Sequence, residues 1–190
     1  MPLRRIGLVA AFTAAAILFS APAHADVRTV PPATMQFAAF AAVAPMDHRF
    51  VMKAARGGNA EISMARLALK KSTNASVTIF ARRMIRDHSA AAANLASIVA
   101  AMGGPTLPTS LSQADAAMRA ALTQLAGAEF DTTYLKGQVA GHRKMATLMQ
   151  SETTSGANAA LRSFASATLP TVRMHLSMAQ KRLSTLSNGR

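Results

Sequence analysis

Residues 72–105, STNASVTIFARRMIRDHSAAAANLASIVAAMGGP, decide the fold. Ser72-Thr73-Asn74 offers an N-cap and Gly103-Gly104-Pro105 a stop. Between them Val77, Phe80, Ala81, Met84, Ala92, Leu95 and Val99 recur at three- and four-residue spacing, the apolar stripe of one long helix. Arg82, Arg83 and Arg86 line its exposed edge, and nothing alternates as a strand would. The same spacing continues on both sides. A helix over 47–71 puts Phe50, Ala54, Gly58, Ala65 and Leu69 on one face, with Lys70 and Lys71 suiting its C-terminal dipole. A third over 129–152 turns Phe130, Tyr134, Leu135, Met145 and Met149 inward, and a fourth over 158–186 does so with Leu161, Phe164, Thr168, Val172, Ala179 and Leu183.

Between the second and third of these helices, Ser112-Gln113-Ala114-Asp115 fits a capping box that starts a short helix ending before Gly127. Gly57-Gly58 inside the first helix predicts close approach of a neighbouring backbone. Pro170 predicts a kink or interruption in the last. Four long helices and one short connecting helix make an all-α four-helix bundle over residues 47–187. Residues 26–46, with Pro31, Pro32 and Pro45 around an Ala/Phe stretch, form a lead-in arm.

Residues 1–25 have the three parts of a secretory signal: Arg4-Arg5, the apolar run Ile6 to Phe19, and Ala23-His24-Ala25 as a cleavage site. The apolar run is about 14 residues, short of the roughly 20 that span a bilayer. The expected destination is a bacterial periplasm, the inner face of the outer membrane, or the medium.

Composition removes much chemistry. The 190 residues include no cysteine, which excludes disulfides, thiolate zinc sites, Fe–S clusters, covalent c-type haem and a cysteine nucleophile. An apolar fraction of 51% supports one ordinary core. The 21 Lys and Arg against 8 Asp and Glu give a net charge of +13, which would attract an anionic envelope surface such as lipopolysaccharide or phospholipid. The cations are dispersed over several helices, and with 8 Phe, 1 Tyr and no Trp there is no base-stacking platform, so no nucleic acid is expected. No serine or threonine has a nucleophile context and no Gly-rich phosphate loop occurs, which excludes the common hydrolase and nucleotide-binding classes.

What remains is a set of polar residues on the apolar stripes. Glu61 lies three beyond Gly58, His88 four beyond Met84, His142 seven beyond Leu135, and His175 three beyond Val172. Counted from the turns at about 1.5 Å per residue, Glu61 and His88 differ by about one helical turn. If the segment 103–128 crosses the bundle, all four reach mid-height. One carboxylate and three imidazoles from four helices suit a single transition-metal ion: Fe, Zn, Cu or Mn. Asp87 points about 100° away from His88 and is placed to accept an N–H from a histidine of a neighbouring helix. Tyr134 would bring a phenol near the site. Most of the 12 Met sit at core spacing and fill the bundle, while Met174 and Met178 beside His175 offer thioethers that would suit copper as a secondary reading.

The same residues carry a family resemblance. The run Ala54-Ala55-Arg56-Gly57-Gly58-Asn59-Ala60-Glu61-Ile62, then Phe80-Ala81, Met84-Ile85 and Asp87-His88, is continued by Leu107-Pro108, Phe130-Asp131, Tyr134-Leu135, Gln138-Val139, His142, Leu169-Pro170 and His175-Leu176. Together these resemble an exported bacterial domain of unknown function with a ferritin-like fold, whose members are often labelled outer membrane proteins. The resemblance implies a ferritin-like bundle in the cell envelope and no established reaction. True di-iron proteins carry Glu-x-x-His pairs, whereas Ile85 and Val172 stand three before His88 and His175, so a di-iron centre is disfavoured.

The expected function is therefore metal binding by Glu61, His88, His142 and His175, with Asp87 and Tyr134 behind them. The rival expectation is a non-enzymatic structural or interaction protein whose inward polar groups merely hydrogen-bond. A third is an oxidoreductase using bound iron or copper.

Overall fold

The computed structural model describes residues 43–188. It contains α1 (Pro45–Lys71), α2 (Ala75–Ala101), α3 (Gln113–Gln124), α4 (Gly127–Ser155) and α5 (Ala159–Asn188), with no strand among the described residues. The expected leader, and the arm as far as residue 42, lie outside them. No helix among the described residues is long and apolar enough to cross a membrane.

The helix ends follow from local chemistry. Pro45 sits in the first turn of α1, where its missing N–H costs nothing, so α1 takes in the last two residues assigned to the arm. Asn74 caps α2 by accepting the Ser76 N–H at 2.9 Å. Ser112 accepts the Asp115 N–H at 3.1 Å, as the capping box requires. Asn158 accepts from Ala160 and Leu161 at 2.9 and 3.2 Å and starts α5. Gly127 opens α4 at φ +53°, in the left-handed region.

Pro170 does not interrupt α5, which runs unbroken past it. Pro170 and Ser166 are both exposed, so the lost helical hydrogen bond falls on the solvent side of the helix. The Gly57-Gly58 expectation also needs correcting. A Cβ at Gly57 would lie 2.5 Å from the terminal methyl of Met145, a side chain rather than a backbone, and one at Gly58 would meet nothing within 4 Å.

α1 packs on α2 and α4, and α5 on the same two. Hydrogen bonds fix the directions. Asp47 at the start of α1 accepts the Ala157 and Asn158 N–H groups, both at 2.8 Å, so the α4–α5 turn sits at that end. Lys71 at the end of α1 bonds the Thr123 carbonyl, placing the end of α3 and the start of α4 at the opposite end. Arg182 near the end of α5 donates to the Ser76 carbonyl at 2.9 Å, joining it to the start of α2. The connection 102–126 therefore runs the length of the molecule, and Asn59 holds it by donating to the Pro108 carbonyl at 2.7 Å.

The core has two apolar layers. One gathers Met84, Phe80, Phe130, Tyr134, Leu135, Val139 and Ala179, with Phe130 stacked on Tyr134 at 6.1 Å. The other gathers Phe50, Leu95, Met149, Leu161, Phe164 and Val172. On α2, α4 and α5 the polar residue that separates the layers is a histidine.

A second buried polar group closes the end near Asp47. Glu152 is 1% exposed and Asp47 2%, and the carboxyl of Glu152 lies against that of Asp47 and against Gly156, which lacks the Cβ that would collide with it. Burial pushes the Glu152 carboxyl up to about 7; Asp47 adds to the push and Arg162 opposes it. Between its ordinary value and about 7 the folded chain keeps a proton that the unfolded chain releases, so this contribution to stability is complete at low pH and is lost as pH rises through 7. Glu152→Gln should therefore melt higher than the parent at pH 8.5, by roughly 3–6 °C, and equal to it at pH 4.5. Calorimetry across that range checks this; a difference that does not change with pH would refute it.

Candidate metal centre

Each site histidine lies between the two apolar layers because its helix carries large apolar residues a turn or two on either side. His88 follows Met84 and precedes Leu95, His142 stands between Val139 and Met149, and His175 between Val172 and Ala179. The structure brings these three together. Ring centroids are 5.4–5.6 Å apart, and one nitrogen from each lies within 4.8 Å of the others. His142 and His175 are each 1% exposed and His88 8%.

Two of the rings are oriented from behind. His142 Nδ1 donates to the Gln138 carbonyl one turn earlier at 2.8 Å, and His175 Nε2 donates to Asp87 Oδ2 at 2.9 Å. Their other nitrogens, His142 Nε2 and His175 Nδ1, are buried without a partner, and so is His88 Nε2. A buried nitrogen left unpaired costs about 1–3 kcal/mol, so three in one place call for something that accepts them together. At the 4.8 Å limit, a point equidistant from all three lies about 2.8 Å from each, so reaching the 2.0–2.1 Å of a metal–imidazole bond asks less than about 1 Å of each ring.

The electrostatics leave the rings as neutral donors. Burial drives His88 down to about 3, with His142 and His175 helping and Asp87 opposing. Burial takes His142 down to about 4 against its hydrogen bond to Gln138, with His175 adding to the fall. His175 also falls through burial, although its bond to Asp87 resists, while Arg83 and Arg86 reinforce the drop. Burial alone would raise Asp87; its bonds to His175, Arg86 and Arg83 outweigh that and hold the carboxyl below its ordinary value. The two arginines donate to Asp87 at 3.2 and 3.0 Å and so lock it toward His175.

Glu61 does not join the three histidines. Its Oε1 lies 3.8 Å from His142 Nδ1, the nitrogen that is bonded to the Gln138 carbonyl, and its other oxygen accepts from Gln138 Nε2. Burial raises its carboxyl to about 8, with Asp115 adding and Gln138 opposing, so at neutral pH it is mostly an uncharged acid. Gly141 provides its seat, since a Cβ there would lie 2.6 Å from Glu61 Oε1. Tyr134 is also displaced from the cluster: eight residues before His142 on α4, it is about 12 Å away along the axis, in the aromatic layer with Phe80 and Phe130. Burial, then Glu61, raises its phenol well above the ordinary value.

Gln138 escaped the sequence reading. It is fully buried and serves two neighbours, its side chain holding Glu61 and its carbonyl holding His142. The signal that marks it is its place four residues before an inward histidine on the same helix face. Asp87 is where its 100° offset put it, on His175 rather than His88.

Two solved structures share this fold. The crystal structure of a DUF305 fragment from Deinococcus radiodurans matches with a TM-score of 0.67 at 15% identity, covering 76% of this chain and 99% of that one. CopM in the Cu(II)-bound form matches with a TM-score of 0.63 at 15% identity, covering 73% of this chain and 96% of that one. No curated protein matches the sequence. The sequence pattern of the family described as "Domain of unknown function (DUF4142)" matches residues 32–181, most of the chain, and the protein belongs to that family.

Proposed function

We propose that this is an exported ferritin-like four-helix-bundle protein that binds one first-row transition-metal ion through His88 Nε2, His142 Nε2 and His175 Nδ1. Two observations carry the reading: the three buried imidazoles each offer a nitrogen within 4.8 Å of the others, and each ring keeps one buried nitrogen without a partner. Asp87 and the Gln138 carbonyl hold two of the rings by their far nitrogens, the arrangement that raises ligand basicity and fixes the tautomer. The likeness to CopM, whose structure is Cu(II)-bound, supports a metal in this fold. Glu61 acts on His142 from behind rather than meeting the ion.

Three neutral imidazoles suit Cu, Zn, Ni and Fe better than Mn, and among divalent first-row ions Cu(II) binds such a set most tightly. Three protein ligands leave a further coordination position for water or a small ligand. The secretory signal places the ion in the envelope, where the basic surface would meet lipopolysaccharide or phospholipid headgroups. Binding is the role proposed.

The protein purified without a histidine tag and titrated with Cu(II) and Zn(II) should take up one ion per chain, Cu(II) the more tightly. His142→Ala and His175→Ala should each abolish stoichiometric loading, and Asp87→Ala should weaken it by about 10–100-fold. Folded protein that takes up no ion, or loads equally in these variants, would overturn the proposal. A stability measurement separates the site from a merely structural network. Metal-free His88→Leu should melt at or above metal-free parent, because an unpaired nitrogen is removed, yet gain nothing from added Cu(II). A loss of more than about 2 kcal/mol in the metal-free variant would instead make the histidines structural.

A further inference from the structure

Next to the three histidines, on the His88 side, the core is not filled. A cavity of about 110 Å³ opens there between α1, α2, α4 and α5. Small residues make the space: Ala54 and Gly58 on α1, Ala91 and Ala92 on α2. A Cβ added at Gly58 would touch nothing within 4 Å. Met145, Met149 and Phe164 supply further walls, and the Leu107-Pro108 segment, tied down by the Asn59 bond to the Pro108 carbonyl, lines a mouth that stays partly open to solvent.

The lining decides what could enter. Apart from His88, the polar side chains at the wall are Asn59, already spent on Pro108, and Thr168. No charged side chain reaches it, so an ion or a polar metabolite would lose its hydration and gain nothing in return. An enclosed apolar cavity of roughly 150 Å³ in another helical protein takes up benzene or xenon, and this partly open apolar pocket is of the size for a xenon atom or a diatomic molecule.

The geometry points to a binding chamber for a small, uncharged, apolar molecule of the size of dioxygen, seated against His88. That such a molecule would lie beside a metal ion rests on the proposed function. That the chamber binds it does not.

Xenon is the probe. In the whole protein labelled with ¹³C at the methionine methyls, raising xenon pressure should shift Met145 and Met149 saturably while Met64, in the other apolar layer, and the exposed Met118 stay in place. Ala92→Leu should weaken the response by roughly tenfold or more and leave Cu(II) uptake unchanged; Ala91→Leu offers the same test should the first variant fold poorly. His88→Ala, which removes a metal ligand, should keep or strengthen the xenon response. Shifts that never saturate, that spread equally over all methionines, or that survive both leucine variants would overturn the chamber. Parent protein that shows the xenon response but takes up no Cu(II) would count against the metal centre alone.

Discussion

Two hydrogen bonds decide what the interior of this protein offers. His175 Nε2 gives its proton to Asp87 and His142 Nδ1 gives its own to the Gln138 carbonyl, so each ring turns its remaining nitrogen inward as an acceptor. Were either ring in its other tautomer, an N–H in place of a lone pair would face the other imidazoles. Asp87 is able to do this because Arg83 and Arg86 keep it ionised and pointed at α5. Half-buried Arg83 and exposed Arg86 thus act on a buried site through one carboxylate.

The same arrangement carries a cost in the metal-free chain. Neutral imidazoles crowd together between two apolar layers, and three nitrogens lack partners that a wholly hydrophobic layer would not have needed. The helices tolerate this because apolar layers lie on both sides and because the ends are tied independently, by Asp47 across to the α4–α5 turn and by Arg182 to the start of α2. Held at both ends, the four long helices keep the three rings level with one another.

Periodicity exposed most of this architecture. A stripe such as Val77, Phe80, Ala81, Met84, Leu95 and Val99 can be buried in only one way, and His88 falls within it, as His142 and His175 do within theirs. What periodicity cannot supply is the direction in which a side chain leaves its face. Glu61 lies at a plausible height yet turns to Gln138 on the far side of the His142 ring, and burial then leaves it uncharged. Tyr134 shares the stripe of His142, but two turns of α4 separate them. The Asp47–Glu152 pair depends on the start of α1 meeting the end of α4, a contact between residues far apart in the chain that no local pattern announces. Pro170 shows a related limit: it does not interrupt α5, and both it and Ser166, one turn earlier, lie on the exposed side of the helix.

The most direct test is a crystal structure of the Cu(II)-loaded protein with anomalous scattering measured on both sides of the copper edge. The account predicts one anomalous peak per chain, about 2.0–2.1 Å from His88 Nε2, His142 Nε2 and His175 Nδ1, with Glu61 outside the coordination sphere. Copper bound elsewhere on the chain, or held by His175 through Nε2 with Asp87 displaced, would contradict it.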